Sequence, residues 1–106
     1  MKRIYITVDH LPDCVRVHVA EVGQELTLKK DTRNPYDDEA IKVFNKNGTD
    51  IGYVANSVET VARGTYSAGR IYDKIKDGQK CITRFIIDEY LIAEIADETE
   101  EVSTVE

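Results

Sequence analysis

Apolar side chains recur at every second position in several short stretches of this sequence. Ile4, Ile6 and Val8 would lie on one face of an extended segment, with Tyr5 and Thr7 on the other. This period of two is typical of a β-strand buried on one face, because successive side chains point to opposite sides. The pattern therefore predicts a mainly β fold. The same alternation occurs at three further places: Val15, Val17 and Val19; Leu26 and Leu28; Ile41 and Val43.

Turn signals separate these segments, and one stretch changes its period. Asn47-Gly48 predicts a hairpin, because both residue types accept a positive φ, and Asp77-Gly78 predicts another turn. After Val54 the apolar spacing becomes helical, which predicts one amphipathic helix over about residues 57–68 with Asn56 as its N-cap. Strand character returns over residues 70–75, 81–87 and 90–95. We therefore expect a small curved β-barrel of the OB/SH3-like type with one short helix.

The formal net charge of −6 is concentrated at the C-terminal end. Residues 94–106 contain six acidic residues and no basic residue, whereas residues 1–93 contain 14 of each kind. We expect a folded domain over residues 1–96 and an acidic disordered tail over 97–106, since the tail also has few apolar residues. A neutral body is compatible with a nucleic-acid partner, but it excludes strong sequence-independent binding driven by overall charge.

Several protein classes do not fit the sequence. No apolar run approaches the ~18 residues of a membrane span, and the basic start lacks the long apolar stretch of a signal peptide. Cys14 and Cys81 are too few for a disulfide framework, so we expect a cytoplasmic protein. His10, Cys14 and His18 are four residues apart, a spacing that on a strand separates them by ~13 Å, so we predict no metal site. No catalytic elbow or phosphate-binding loop occurs, so we predict neither a cofactor nor enzymatic activity.

The most informative stretch runs from residue 23 to 54 and combines a loop with two strand motifs. Asn34-Pro35-Tyr36-Asp37 is followed by Ala40-Ile41-Lys42-Val43, and after a glycine turn by Ile51-Gly52-Tyr53-Val54. Pro35 fixes its own φ and makes Asn34 extended, so the loop is rigid. Asn34 and Asp37 can bond back to the main chain and hold the turn. Gly52 inside a strand indicates a bulge or a close backbone approach.

In the order and spacing of these motifs, the sequence resembles HIRAN domains. That family combines a strand with alternating leucines, an Asn-Pro-Tyr-Asp loop, an Ala-Ile-x-Val strand and an Ile-Gly-Tyr-Val strand. The resemblance covers about a third of the chain. HIRAN domains occur in eukaryotic DNA-repair translocases and as short stand-alone bacterial proteins. The resemblance implies an OB-like barrel that holds the end of a single DNA strand.

The resemblance also implies roles for individual residues. Tyr36 would stack on a base, Asp37 would accept a hydrogen bond from a terminal 3′-hydroxyl, and Asn34 would support the loop or contact a phosphate. Arg16 stands in for a family arginine on the second strand, where His18 would be a weaker stacking residue than the aromatic pair of the family. A family lysine after the Gly-Tyr strand is absent, since residues 55–57 are Ala-Asn-Ser. The other predicted DNA contacts are Tyr53, Lys29, Lys30 and Arg33. With Lys42 and Lys46, the last three form a mildly basic region, which is either a mixed charged surface or a local phosphate track.

Two functional hypotheses from different classes follow. The first is a nucleic-acid-binding module that recognises single-stranded DNA or DNA 3′ ends, beside a DNA-processing ATPase of the repair or helicase type. The alternative is a protein–protein interaction domain that kept the fold and lost the DNA-end site. The missing aromatic pair on the second strand discriminates between them, because stacking on aromatic rings is a main source of single-strand affinity.

Overall fold

The structure is a computed structural model, and it describes residues 3–9, 21–57, 59–87 and 90–96. Within these ranges lie six strands and one short helix: β1 (Tyr5–Asp9), β2 (Glu25–Lys30), β3 (Ile41–Asn45), β4 (Asp50–Val54), α1 (Ala68–Ile71), β5 (Gln79–Ile87) and β6 (Tyr90–Ile95). The strands are antiparallel and close into a barrel in the order β1-β4-β3-β2-β5-β6. The predicted mainly β barrel with one short helix is therefore confirmed.

The interior of the barrel is filled by the alternating residues of the sequence pattern. Ile6 and Val8 of β1 and Leu26 and Leu28 of β2 are fully buried. Burying such a side chain stabilises the fold by about 1.5–3 kcal/mol, so the alternation drives closure of the barrel. The other large apolar side chains that are fully buried are Ile41, Val43, Ile51, Ile71 and Leu91.

The β3–β4 hairpin turns where the sequence predicts it. Asn45 is buried, and its side-chain Oδ1 accepts hydrogen bonds from the main-chain N–H groups of Asn47 and Thr49, both at 2.9 Å. The following strand contains Gly52 at a φ of 147°, next to a register shift in β3. A Cβ at Gly52 would overlap the carbonyl oxygen of Asp9 on the paired strand β1. The predicted close backbone approach is therefore confirmed.

The predicted helix over residues 57–68 is wrong. The described residues of this stretch form successive turns, in which Thr60 N–H donates to the Ser57 carbonyl and Thr65 N–H to that of Ala62. The helical spacing is overridden by pairing with β1, because Tyr66 N–H donates to the Tyr5 carbonyl at 2.7 Å. Main-chain hydrogen bonds to another strand fix the segment in place and leave its N–H groups unavailable for a helix.

The strand predicted over residues 70–75 is also wrong. Helix α1 (Ala68–Ile71) extends into the beginning of that stretch. Ser67 Oγ accepts a hydrogen bond from Arg70 N–H and caps the helix. Ile71 and Ile75 are both buried and are joined by a hydrogen bond from Ile75 N–H to the Ile71 carbonyl at 3.2 Å. Apolar residues four apart share a helical face, so the period here is that of a helical turn.

Three further expectations lie outside the described residues. They are the second strand with Arg16 and His18, the connection at residues 88–89, and the acidic tail over residues 97–106. The predicted closing strands over 81–87 and 90–95 are confirmed as β5 and β6.

Cys81 points into the barrel as a buried thiol without a disulfide partner. Burial raises the pKa of the Cys81 thiol to about 12, and the neighbouring charge of Glu25 acts in the same direction. The thiol is therefore neutral at physiological pH and has a packing role, since the thiolate is the reactive form. No helix within the described ranges is long and apolar enough to cross a membrane.

Candidate nucleic-acid interface

The loop between β2 and β3 is held in one shape by its own side chains. Asn34 Oδ1 accepts hydrogen bonds from the N–H groups of Tyr36 at 2.8 Å and Asp37 at 3.1 Å. Asp31 N–H donates to the Ala40 carbonyl at 2.8 Å and joins the two ends of the loop. With Pro35 limiting the backbone between them, these bonds make the loop rigid, as the sequence predicts.

Tyr36 projects from this rigid loop and is 95 % exposed. Large aromatic side chains bury most of their area in folded proteins, so an exposed ring on a fixed backbone is available to contact a ligand. Its main-chain N–H is bonded to Asn34, whereas the ring itself faces solvent at the mouth of a groove.

Asp37 is half-buried and its carboxylate is oriented from two sides. Oδ1 accepts the N–H of Glu39 at 2.9 Å, and Oδ2 accepts the side-chain amide of Asn56 at 3.1 Å. Each carboxylate oxygen has two lone-pair sites, so one site on each remains for a further donor.

Asn56 links the loop to the start of α1. Its Nδ2 also lies 3.4 Å from Glu39 Oε1, and its Oδ1 accepts the N–H of Gly69 at 2.8 Å. The predicted N-cap role of Asn56 is therefore wrong, because its side chain is committed to the loop and to Gly69. A Cβ at Gly69 would come within 2.6 Å of Glu39 Oε1, so a larger residue there would displace the end of the exposed Glu39 side chain.

Tyr53 forms the wall opposite the loop. Its hydroxyl donates to Asp31 Oδ2 at 3.2 Å, which ties β4 to the first residue of the loop. Burial, and then the hydrogen bond to Asp31, raise the pKa of Tyr53. The hydroxyl is therefore protonated at neutral pH and acts as a donor.

Between these side chains lies an open groove with a volume of about 530 Å³. The charged residues among its described lining are Asp9 and Asp37, both acidic. A groove of this kind suits neutral groups that donate hydrogen bonds, and it disfavours phosphate. Other lining residues are Asn34, Tyr36, Tyr53, Asn56, Ser57 and Thr60.

The predicted basic contacts lie beside this groove and do not line it. The ammonium group of Lys29 is 5.7 Å from the ring centroid of Phe44, and that of Lys30 is 4.7 Å from that of Tyr72. Arg33 is an exposed residue of the loop. The structure thus brings Asn34, Tyr36, Asp37 and Tyr53 together and leaves Lys29, Lys30 and Arg33 outside their groove. Arg16 and His18 lie outside the described residues.

Sequence reasoning misses Asn56 as a member of the site. The sequence feature that could have identified Asn56 is its position after the Gly-Tyr strand, where the family carries a lysine. Its two-sided bonding to Asp37 and Gly69 depends on tertiary contacts that no local pattern encodes. Within the described ranges, no three His, Cys, Asp or Glu side chains converge as metal ligands.

A closed barrel with a rigid loop and an exposed aromatic ring at a groove defines a small β-barrel binding module. The family model for the HIRAN domain matches residues 5–72, more than half of the chain. The chain belongs to the HIRAN domain family, whose members are nucleic-acid-binding modules.

Two solved structures share the fold. A crystallised protein from Lactobacillus plantarum superposes with a TM-score of 0.60 at 18 % identity, over 89 % of this chain and 93 % of that one. The HIRAN domain of human HLTF superposes with a TM-score of 0.57 at 22 % identity, over 94 % of this chain and 81 % of that one. No curated protein matches the sequence.

Proposed function

We propose that this chain binds single-stranded DNA at its 3′-terminal nucleotide, with the groove as the binding site. The observation that carries the proposal is the 95 % exposure of Tyr36 on a loop fixed by Asn34. Stacking of one base on an exposed ring contributes about 1–3 kcal/mol, and a rigid backbone lowers the entropic cost of forming the stack.

Asp37 supports recognition of a free end. Its two oxygens each retain an acceptor site beside their bonds to Glu39 N–H and Asn56 Nδ2. A terminal hydroxyl supplies the missing donor, whereas a continuing phosphate brings a second negative charge. The Asp37 carboxylate in the groove lining therefore favours a hydroxyl-bearing end.

The other predicted contacts take supporting roles in this proposal. Asn34 maintains the loop, because its Oδ1 is used by two main-chain donors. Tyr53 closes the groove, Lys30 and Arg33 supply positive charge near it, and Lys29 contacts the strand beyond the groove. Arg16 and His18, which lie outside the described residues, are further proposed contacts. A DNA-processing ATPase of the repair or helicase type is the proposed functional partner, since a binding module needs an enzyme to act on the bound strand.

A second candidate function, protein–protein interaction, is favoured by an apolar surface on another side of the barrel. Phe85 and Ile87 on β5 are 58 % and 42 % exposed, and they are paired in register with Ile92 and Tyr90 on β6. These residues and Tyr5 line a groove of about 430 Å³. Contiguous exposed apolar side chains commonly mark an interaction site.

One binding experiment tests the proposal against this alternative. Titration of a 5′-labelled single strand by fluorescence anisotropy should show that Tyr36→Ala loses about 1–3 kcal/mol of affinity through lost stacking. Phe85→Ala, which removes an exposed ring from the apolar surface, is the matched control and should leave affinity unchanged. A phosphate on the 3′ end should weaken binding to the wild type, and Asp37→Asn should reduce that difference. Equal affinity for free and phosphorylated ends rules out end recognition, and absence of binding at low salt favours the protein-interaction function.

A further inference from the structure

The solvent-facing surface of β2, β3 and β4 adjoins the groove at Tyr53. Strand register places Tyr53 opposite Lys42, and Lys42 opposite Lys29, so the three side chains form one row across three strands. Neighbouring strands are ~4.8 Å apart, and the row therefore extends about 10 Å from the groove wall. Because Tyr53 belongs to both the groove and the row, the two surfaces are continuous.

A second row runs beside the first. Phe44 is paired with Thr27, and Thr27 with Lys80 on β5. The ammonium group of Lys80 donates to Thr27 Oγ1 at 2.9 Å, which fixes the position of its charge. Positively charged and aromatic side chains thus occur together in both rows.

The lysines of the first row are held against the aromatic rings. The Lys29 ammonium is 5.7 Å from the centroid of the Phe44 ring, and that of Lys42 is 6.0 Å from that of Tyr53. Contacts of this kind stabilise a cation by about 0.5–1 kcal/mol at exposed sites. They restrict the long side chains before any ligand binds, which lowers the entropic cost of binding.

Charge on this surface is positive but small, and at its edge the Asp31 carboxylate accepts a hydrogen bond from the Tyr53 hydroxyl. Asp50 lies 3.7 Å from the ammonium group of Lys42 and neutralises part of its charge. Lys29 and Lys80 add two more positive charges to the rows. In a single strand, phosphates bind cationic side chains and bases stack on aromatic rings. A surface that combines lysines with aromatic rings therefore matches both parts of the strand. A folded protein partner would not require this pairing of the two residue types.

We propose that the surface formed by Lys29, Lys42, Phe44, Tyr53 and Lys80, here named the lysine–aromatic face, binds the nucleotides that precede the terminal one. The proposal rests on the proposed function, because the groove supplies the fixed end of the strand. Phosphates contact the lysines and bases contact the rings. The strand then leaves the acidic groove along Tyr53 toward Lys29.

This arrangement makes binding depend on strand length. A dinucleotide occupies the groove, whereas a strand of about ten nucleotides, within the usual site size of such barrels, also covers the lysine–aromatic face. The double variant Lys29→Gln/Lys42→Gln should lower affinity for the longer strand roughly ten-fold at low salt. Its salt dependence, as the slope of log affinity against log salt, should decrease by about 1.4, or 0.7 for each lost phosphate contact. Affinity for the dinucleotide should not change.

The matched control removes two positive charges from another side of the barrel. Arg63 lines the apolar groove, and Arg84 on β5 donates to Glu94 on β6, so Arg63→Gln/Arg84→Gln changes net charge equally without touching the lysine–aromatic face. Equal losses for the two double variants would overturn the proposal. The effect of Tyr36→Ala on the dinucleotide would then still support the proposed function. If the wild type binds neither strand, both proposals fall.

A second variant tests the aromatic part of the face. Phe44→Leu keeps an apolar side chain at this half-buried position and removes the ring. It should weaken binding of the longer strand several-fold with little change in melting temperature. Unchanged affinity of Phe44→Leu for the longer strand would overturn the assignment of base contacts to this face.

Discussion

Asn56 orients the carboxylate of Asp37 from the side of the groove opposite the loop. The Asn56 side-chain nitrogen donates a hydrogen bond to Asp37 Oδ2 and lies 3.4 Å from Glu39 Oε1. The amide oxygen of the same side chain accepts a hydrogen bond from Gly69 N–H. An amide is suited to this position, because it offers both a donor and an acceptor without adding charge. A lysine in the same place would neutralise the carboxylate and would itself attract phosphate.

We therefore predict that Asn56→Ala reduces discrimination between free and blocked 3′ ends. Without the amide, the Asp37 carboxylate is less constrained and Gly69 N–H loses its acceptor. Affinity for a free end should fall by about 1 kcal/mol, the net contribution of a typical hydrogen bond. The measurement is anisotropy with 3′-hydroxyl and 3′-phosphate strands. Asn47→Ala in the β3–β4 turn is the control, and an equal loss there would contradict a specific role for Asn56.

At the level of the elements, β4 combines a close backbone contact with a groove wall. Gly52 faces the Asp9 carbonyl, and its neighbour Tyr53 lines the groove, so packing of β4 against β1 sets the position of the Tyr53 ring. Any residue with a Cβ at position 52 would move these strands apart.

Gly52→Ala should accordingly lower the free energy of unfolding by at least about 2 kcal/mol, since it combines a strained φ with a steric overlap. Gly48→Ala is the matched control, because Gly48 also has a positive φ but a Cβ there would have open space around it. That control should cost about 1 kcal/mol, the strain of a Cβ in the left-handed region. Chemical denaturation measures both values, and similar losses for the two variants would contradict the close approach.

The strands and the helix differ in how well the sequence predicts them. β1, β2 and β3 follow from alternation, since Ile6, Leu28 and Val43 can be buried only if the segments are extended with that face inward. The helix prediction fails because the apolar residues of that stretch are also compatible with a chain that crosses β1, and the bond from Tyr66 N–H to Tyr5 decides between them. Such a contact joins residues distant in sequence, so a local period does not contain it.

The same distinction applies to the candidate site. The loop geometry around Asn34 follows from residue types, because asparagine, proline and aspartate have defined local preferences. The contact of Asn56 with Asp37 does not follow, since it requires β4 and the loop to be brought together by the barrel. The positions of Lys29 and Lys42 on one face follow from register, which the sequence alone leaves open.

At the scale of the whole molecule, the groove and the lysine–aromatic face differ in charge. Asp9 and Asp37 line the groove, whereas the three lysines of the face lie outside it. The described chain ends at Ala96, whose N–H donates to the carbonyl of Lys80 at 2.9 Å. The last described residue therefore lies next to one lysine of that face.

Deleting residues 97–106 should strengthen DNA binding at low salt. The deletion removes five acidic residues and no basic residue, so the net charge changes from −6 to −1. A competing polyanion is lost, and affinity should rise by roughly two- to ten-fold at low ionic strength, with no gain at high salt. A variant with the five acids changed to amides, at unchanged length, should behave in the same way. Loss of the thermal unfolding transition on deletion would mean that this segment is needed for folding.

The barrel order also determines how much of the chain must be kept together if the domain is moved into another protein. A fragment that stops at residue 72, where the family match ends, retains the loop, the groove and α1. It lacks β5 and β6, which are the hydrogen-bonded neighbours of β2 and β1. Two bare strand edges would then be available for pairing with other molecules, which promotes aggregation. The transferable unit is therefore the closed ring of six strands, although the recognisable motifs occupy little more than its first half.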